Sequence, residues 1–228
     1  MGSMILAGGG NADKSNIVDE FFISLLPRKK FLFIPQAIAP KICSYTEAEE
    51  WIHKPTAFKG IEIVTWENIE HKSLEDLLEF DAVYLMGGNT FELLFQLRTS
   101  GLLELIPQYL ESGKTVYGIS AGAYVLGKDI QDRIPPDNDD KNAIGLKDLN
   151  ALNLLNGYSV HCHYLPEHDK QLFTFNKRAQ NPLIAIPEDS GVYVQNGTYL
   201  ALGKSPVYLF KNDGSKTEIN PNSHFSLA

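Results

Sequence analysis

Residues 115–127 read TVYGISAGAYVLG, and at their centre Ser120 has Gly118 two residues before it and Gly122 two residues after. The β-prone run Thr115-Val116-Tyr117 leads in, and the small, helix-compatible residues Ala121 and Ala123 lead out. This is the pattern of a nucleophile elbow, a sharp strand-to-helix turn that pushes one side chain outward and that glycine flanks allow to close. The free backbone N–H groups at the start of the helix can then hold an oxyanion. Read as structure alone, the same residues are a Gly/Ser-rich turn ending a strand, and G-x-S-x-G often arises by chance. The rest of the chain must supply the partners.

A serine hydroxyl becomes a useful nucleophile only when a base within hydrogen-bond reach takes its proton and an acid orients that base. His53 and His71 precede the elbow in helix-and-loop contexts, and His224 lies in the tail, places that suit solvated or structural roles. His161, His163 and His168 cluster after the elbow, so the base is expected among them. Residues 158–164 (YSVHCHY) read as a strand, in which alternation puts His161 and His163 on one face and Cys162 on the other. Spacing does not choose between the two histidines. For the acid, Asp140 and Glu188 both stand where a loop or strand tip can bring a carboxylate to the site. A competing chemistry is a metal-dependent hydrolase using His161, His163, His168 and Glu167, because histidines two apart on a strand can share an ion. It leaves the elbow without a task.

Strand must alternate with helix to place these groups, and the chain does this for most of its length. Residues 4–7 form a first apolar strand running into Gly8-Gly9-Gly10-Asn11, a sharp loop that lacks the third glycine of a dinucleotide fingerprint because Asp13 stands there. A helix is expected from about Asn16, with Ile17, Phe21 and Leu25 on one face and Pro27 as its stop. Residues 30–37 are apolar almost throughout, the signature of a strand covered on both faces of a parallel sheet. Thr46-x-x-Glu49 is a capping-box pattern for a short helix, residues 61–66 a strand, 73–80 a helix and 81–86 a strand. Gly87-Gly88-Asn89-Thr90 then turns into another helix, with Asn89 and Glu92 as cap and Leu93, Leu94 and Leu97 as the buried stripe. The helical region breaks at Gly101 and ends at Gly113, just before the elbow. After it, residues 129–141 read as a solvated acidic loop, the stretch to about Asn181 has little pattern, and 183–186 form a short strand. The tail from Gly191 is strand, with hairpin turns at Asn196-Gly197 and Asp213-Gly214. The expectation is one α/β domain over residues 1–228: a mainly parallel sheet between helical layers, followed by antiparallel hairpins.

Composition narrows the partners. The 228-residue chain has a net charge of −8, whereas binding nucleic acid or an anionic membrane needs a basic face to displace counterions. No apolar run approaches the ~18 residues of a membrane span, and no signal-peptide layout opens the chain, so a cytoplasmic protein is expected. The two cysteines, Cys43 and Cys162, form no disulfide framework. Nothing in the motifs calls for a cofactor. Edge strands in the tail are the natural place for two copies to pair.

Taken together, Gly87-Gly88-Asn89-Thr90, the Gly118–Ala123 block, His163 followed by Tyr164, and Glu188 before a small-residue turn resemble the serine peptidases of the aspartyl dipeptidase (peptidase E) and cyanophycinase family. The match runs through the chain in order and spacing. The resemblance implies a class I glutamine amidotransferase-like fold, Ser120 as nucleophile, His163 as base and Glu188 as its orienter, with Asp140 as the second-ranked acid. It also implies oxyanion donors at Gly88 and Ala121, a substrate contact near Asn89 and small peptides as substrates. A catalytically silent, ligand-binding member of the same fold is the alternative within the family. The order Ser, His, acid differs from the Ser, acid, His order of ordinary lipases and esterases. One departure concerns specificity. The interval between His163 and Glu188 is short and offers only Lys170, Lys177 and Arg178, of which Arg178 is the candidate cation for an N-terminal aspartate.

Overall fold

Large apolar side chains on both faces of the central strands are sorted by strand alternation into two separate cores. A computed structural model describes residues 2–38, 44–133 and 140–227. Five strands, β1 (Ser3–Ala7), β2 (Lys30–Ile34), β3 (Glu62–Thr65), β4 (Ala82–Leu85) and β5 (Thr115–Ile119), pair in parallel in the order β1-β5-β4-β2-β3. Met4, Leu6, Leu32, Ile34, Val83, Leu85 and Val116 face one side. There they meet α3 (Leu74–Leu78), α4 (Thr90–Ser100), α5 (Leu102–Glu111) and α6 (Ala121–Leu126). Ile5, Ala7, Phe31, Phe33, Tyr84, Tyr117 and Ile119 face the other, against α1 (Ala12–Ser24) and α2 (Tyr45–Ile52). A mainly parallel sheet thus lies between two helical layers, the α/β layering that the sequence leads one to expect.

A second sheet begins after the elbow. Its strands β6 (Ser159–Cys162) and β7 (Leu183–Ile186) are parallel neighbours. The chain next returns to the first sheet as the hairpin β8 (Ser190–Gln195) and β9 (Thr198–Gly203), with β8 antiparallel to β1. The hairpin turn is Asn196-Gly197, both at positive φ, as a two-residue turn requires. β10 (Val207–Phe210) and β11 (Lys216–Ile219) complete the second sheet in the order β11-β10-β7-β6, and β12 (His224–Phe225) pairs with β9 at the edge of the first, which becomes eight-stranded. One face of the small sheet, including Val160, Ile184, Ile186 and Leu209, joins the core around α4–α6; the other packs on α7 (Asp169–Ala179) through Leu172 and Phe175.

Several expectations are corrected. α1 starts at Ala12 rather than near Asn16, because Asn11 caps it by accepting from the Lys14 N–H, so the glycine loop opens almost directly into a helix. The capping box of α2 is Ser44 with Glu47, two residues earlier than read. The region read as patternless contains α7, whose buried residues Leu172, Phe175 and Asn176 keep helical spacing among polar neighbours. Asp129 and Asp132 are not solvated but buried, bonded to Ser159 and Asn181 and to His161 respectively. Residues 134–139 of that loop, and Cys43, lie outside the described residues; Cys162 is buried, and its thiol donates to the Ala7 and Ser120 carbonyls. Among the described residues no helix is long and apolar enough to cross a membrane.

Asp19 on α1 is a buried carboxyl under the sheet, accepting from Tyr117 Oη and Ser15 Oγ at 2.7 Å each. Burial pushes its pKa up to about 6, against the opposing pull of those two hydrogen bonds. The unfolded value is about 3.9, so the folded state binds this proton more tightly. The favourable contribution of Asp19 is therefore complete below about pH 4 and is lost as pH rises through about 6. Asp19→Asn, which still accepts from Tyr117, is expected to raise stability at pH 8 by on the order of 2 kcal/mol, with little gain at pH 4.5. Denaturant melts of both proteins at the two pH values check this.

Candidate active site

Ser120 follows β5 directly and starts α6, at the carboxyl edge of the sheet between the ends of β1 and β4, where ligands of open α/β sheets bind. Its φ of 50° and ψ of −112° place a non-glycine residue in a strained turn. Gly118 and Gly122 make that turn closable: a Cβ on Gly118 would lie 2.4 Å from the carbonyl oxygen of Gly122, and one on Gly122 would lie 2.2 Å from that of Leu85. The outward Ser120 Oγ meets His163 Nε2 at 2.8 Å.

The second sheet delivers the partners. β6 and β7 run in parallel with Cys162 opposite Ile186, so the residues just past their carboxyl ends emerge side by side. His163 leaves β6 with φ 54°, and its backbone N–H donates to the Gly8 carbonyl at 2.9 Å. Strand alternation therefore stops at Cys162 and does not govern His163. Glu188 stands two residues beyond β7, and its Oε1 accepts from His163 Nδ1 at 2.9 Å. That bond fixes the tautomer, leaving the Nε2 lone pair to accept the serine proton. On its other oxygen Glu188 holds Lys14 Nζ at 2.5 Å. The Lys14 ammonium, and after it His163, keep the Glu188 carboxyl below its ordinary value.

The loop between β1 and α1 forms the floor under the histidine. Gly9 has φ 115°, and a Cβ there would lie 2.2 Å from His163 Cε1. The imidazole occupies the space this glycine leaves open. From sequence alone Gly8-Gly9-Gly10 reads as a sharp loop, in which neither Gly9 nor the following Lys14 stands out. A glycine run at the end of a parallel strand beside an elbow is the signal that marks them.

Around this group lies a cleft of about 980 Å³, with Trp51, Met86 and Ile119 as apolar lining and Asp132, His161, Glu167, His168 and Gln171 as polar lining. His161 donates from Nδ1 to the buried Asp132 at 2.8 Å, and its Nε2 lies 3.0 Å from His168 Nδ1. Burial, and then the adjacent His161, push the His168 imidazole below its ordinary value. These histidines bond each other, and His163 is engaged by Ser120 and Glu188. Among the described residues no three His, Cys, Asp or Glu side chains converge on a metal-sized site, so the geometry of the metal reading is not formed.

The other expected residues fall in different places. The Gly88 N–H and the Ala121 N–H, the latter at the first position of α6, have no acceptor among the described residues, and Gly88 lines the cleft beside Ser120. Asp140 lines the same cleft, but its Oδ2 accepts from the Thr90 backbone N–H and from Thr90 Oγ1, at 3.1 and 2.5 Å; Glu188, not Asp140, is on the histidine. Asn89 is committed to structure, with its side chain capping α4 through the Glu92 N–H and donating to the Lys141 carbonyl. Arg178 lies on the exposed face of α7, its guanidinium 6.0 Å from the Phe175 ring centroid, and does not line the cleft.

Comparison with known proteins agrees with this architecture. The chain is 29% identical over 210 residues to Peptidase E of Shewanella baltica (strain OS195), covering 87% of this chain and 83% of that protein. It is 33% identical over 140 residues to Peptidase E of Shewanella sp. (strain W3-18-1), a match that spans 57% of each. The crystal structure of a peptidase from an acI-B1 Actinobacterium superposes with a TM-score of 0.76 at 19% identity, covering 100% of this chain and 97% of that one. A Listeria monocytogenes EGD-e protein provisionally named Peptidase E gives 0.70 at 23% identity, covering 90% and 100%. At such identities these two likenesses speak for the fold. The model of peptidase family S51 matches residues 4–207, and the chain belongs to that family of serine-type peptidases.

Proposed function

We propose that the chain hydrolyses small peptides through an acyl-enzyme on Ser120, with His163 as general base and acid and Glu188 as its orienter. The observation that carries this is the 2.8 Å approach of Ser120 Oγ to a His163 ring whose other nitrogen is already engaged by a carboxylate. Ser120 Oγ attacks the scissile carbonyl as its proton passes to His163 Nε2. The N–H groups of Gly88 and Ala121 receive the developing oxyanion. His163 then returns the proton to the departing amine, and water attacks the acyl-enzyme by the reverse route. A cleft of about 980 Å³ is at the size of small-ligand sites, which suits a short peptide and not a folded chain. An N-terminal aspartate would need a cation, and neither Lys nor Arg appears among the described residues lining the cleft.

The test is mass-spectrometric mapping of a fluorophosphonate adduct on the parent protein, His161→Ala and His163→Ala. An adduct on Ser120 that is lost with His163 and kept with His161 is the expected result. Labelling that survives His163→Ala, or none in the parent, refutes the assignment.

A further inference from the structure

Glu188 has two carboxylate oxygens, and the hydrolytic reading uses one. Oε1 is on His163; Oε2 is 2.5 Å from Lys14 Nζ, a contact that reaches from the first turn of α1 to the end of β7. The turn that carries Lys14 is fixed independently of its ammonium, by the Asn11 side chain accepting from the Lys14 backbone N–H at 3.1 Å. The same connection supplies the Gly8 carbonyl to the His163 N–H. One short segment thus holds the histidine by its backbone and the glutamate by its far oxygen. We propose that Lys14 is a positioning residue of the hydrolytic site, its ammonium fixing the rotamer of Glu188 and keeping that carboxylate as the anion that orients His163. The proposal rests on the reading of Ser120, His163 and Glu188 given above.

The surroundings leave this task to Lys14. The charged and titratable groups about Glu188 are Lys14 from α1, His163 from the end of β6, and the adjacent Asp189, itself held by Ser190 and Ser205. The same cleft is lined by Asp140, on Thr90, by Glu167 and His168, and by His161 paired with Asp132. Among these described groups Lys14 is the one permanent cation in contact with the glutamate. A charge-assisted hydrogen bond holds a carboxylate more firmly than water does, and the lost proton affinity of Glu188 has Lys14 as its largest cause. Without the ammonium, Glu188 takes up a proton at higher pH and turns more freely, and the imidazole loses its fixed tautomer over the same range.

The fluorophosphonate labelling rate of Ser120 reads this without knowledge of the peptide substrate. Lys14→Met is expected to lower the limiting labelling rate roughly tenfold, a modest figure because both partners are partly exposed. The half-saturating probe concentration is expected to stay unchanged, and the acid limb of the rate to move to higher pH. Lys14→Arg restores most of the rate. In a Glu188→Gln background, Lys14→Met has no further effect, since the lysine acts only through that carboxylate. Lys14→Gln, a residue of similar helix propensity, repeats the test should the methionine variant fold poorly. The proposal is overturned by an unchanged rate and acid limb in the neutral variants, by an arginine variant as slow as the methionine one, or by losses that multiply in the double variant. Absence of labelling in the parent, or labelling indifferent to His163, overturns this inference together with the hydrolytic reading. Labelling that needs His163 but not Lys14 overturns this inference alone.

Discussion

Ser120→Ala is expected to reduce peptide turnover by about 10⁴- to 10⁶-fold while leaving the protein folded, with whatever remains coming from binding and the oxyanion donors alone. The stability change should stay within about 1 kcal/mol, because the substitution keeps the Cβ and removes one partly buried hydroxyl and its hydrogen bond to His163. The strain of φ 50° at this residue is common to serine and alanine and so cancels. Activity on a fluorogenic peptide library and a denaturant melt, made on the same preparation, separate the two effects. A loss of activity matched by a loss of folding would mean that the serine is structural. Full activity in the alanine variant would remove the acyl-enzyme reading.

The elbow is legible in the sequence because it is local. Strand, serine and glycines lie within one short stretch, and the clashes that Gly118 and Gly122 avoid are with Gly122 itself and with the neighbouring strand. The capped helix after Asn89 and the strands on either side are legible for the same reason. The proposed base is a different matter: alternation treats His161 and His163 alike, and they part only because β6 ends at Cys162 and the next residue takes a left-handed conformation. The family resemblance names His163, the histidine whose Nε2 lies 2.8 Å from Ser120 Oγ, where periodicity does not choose. Asp132 and Asp129 show the opposite limit. Acids in a proline-bearing loop suggest solvation, yet each is buried because distant side chains, His161 for one and Ser159 and Asn181 for the other, come to meet it. Arg178 is suggested for the site by its guanidinium alone and lies on the exposed face of α7, whereas Asn89, readable as a helix cap from its spacing to Glu92, is that cap. What a residue does here depends on a partner far along the chain, and composition does not carry that partner's position.

Gly9→Ala tests the same point from a residue with no chemistry of its own. The new Cβ would lie 2.2 Å from Cε1 and 2.8 Å from both ring nitrogens of His163, so one of the two must move. The nearest atoms belong to the end of a side chain, which yields more readily than backbone; the imidazole is therefore displaced and the sheet is not. With His163 as the proposed general base, a shift of about 1 Å is enough to cost on the order of 100-fold in rate. The φ of 115° adds strain for any residue with a Cβ, which should lower stability by roughly 1–3 kcal/mol. The variant is thus expected to fold with a reduced melting temperature and to lose at least about 100-fold in kcat, with Ser120 intact yet slow to label. Equal losses in Gly9→Ala and in a variant of similar stability elsewhere in the fold would assign the effect to destabilisation. A selective loss of rate would mean that the first loop of the chain, by omitting one methyl group, sets where the histidine stands.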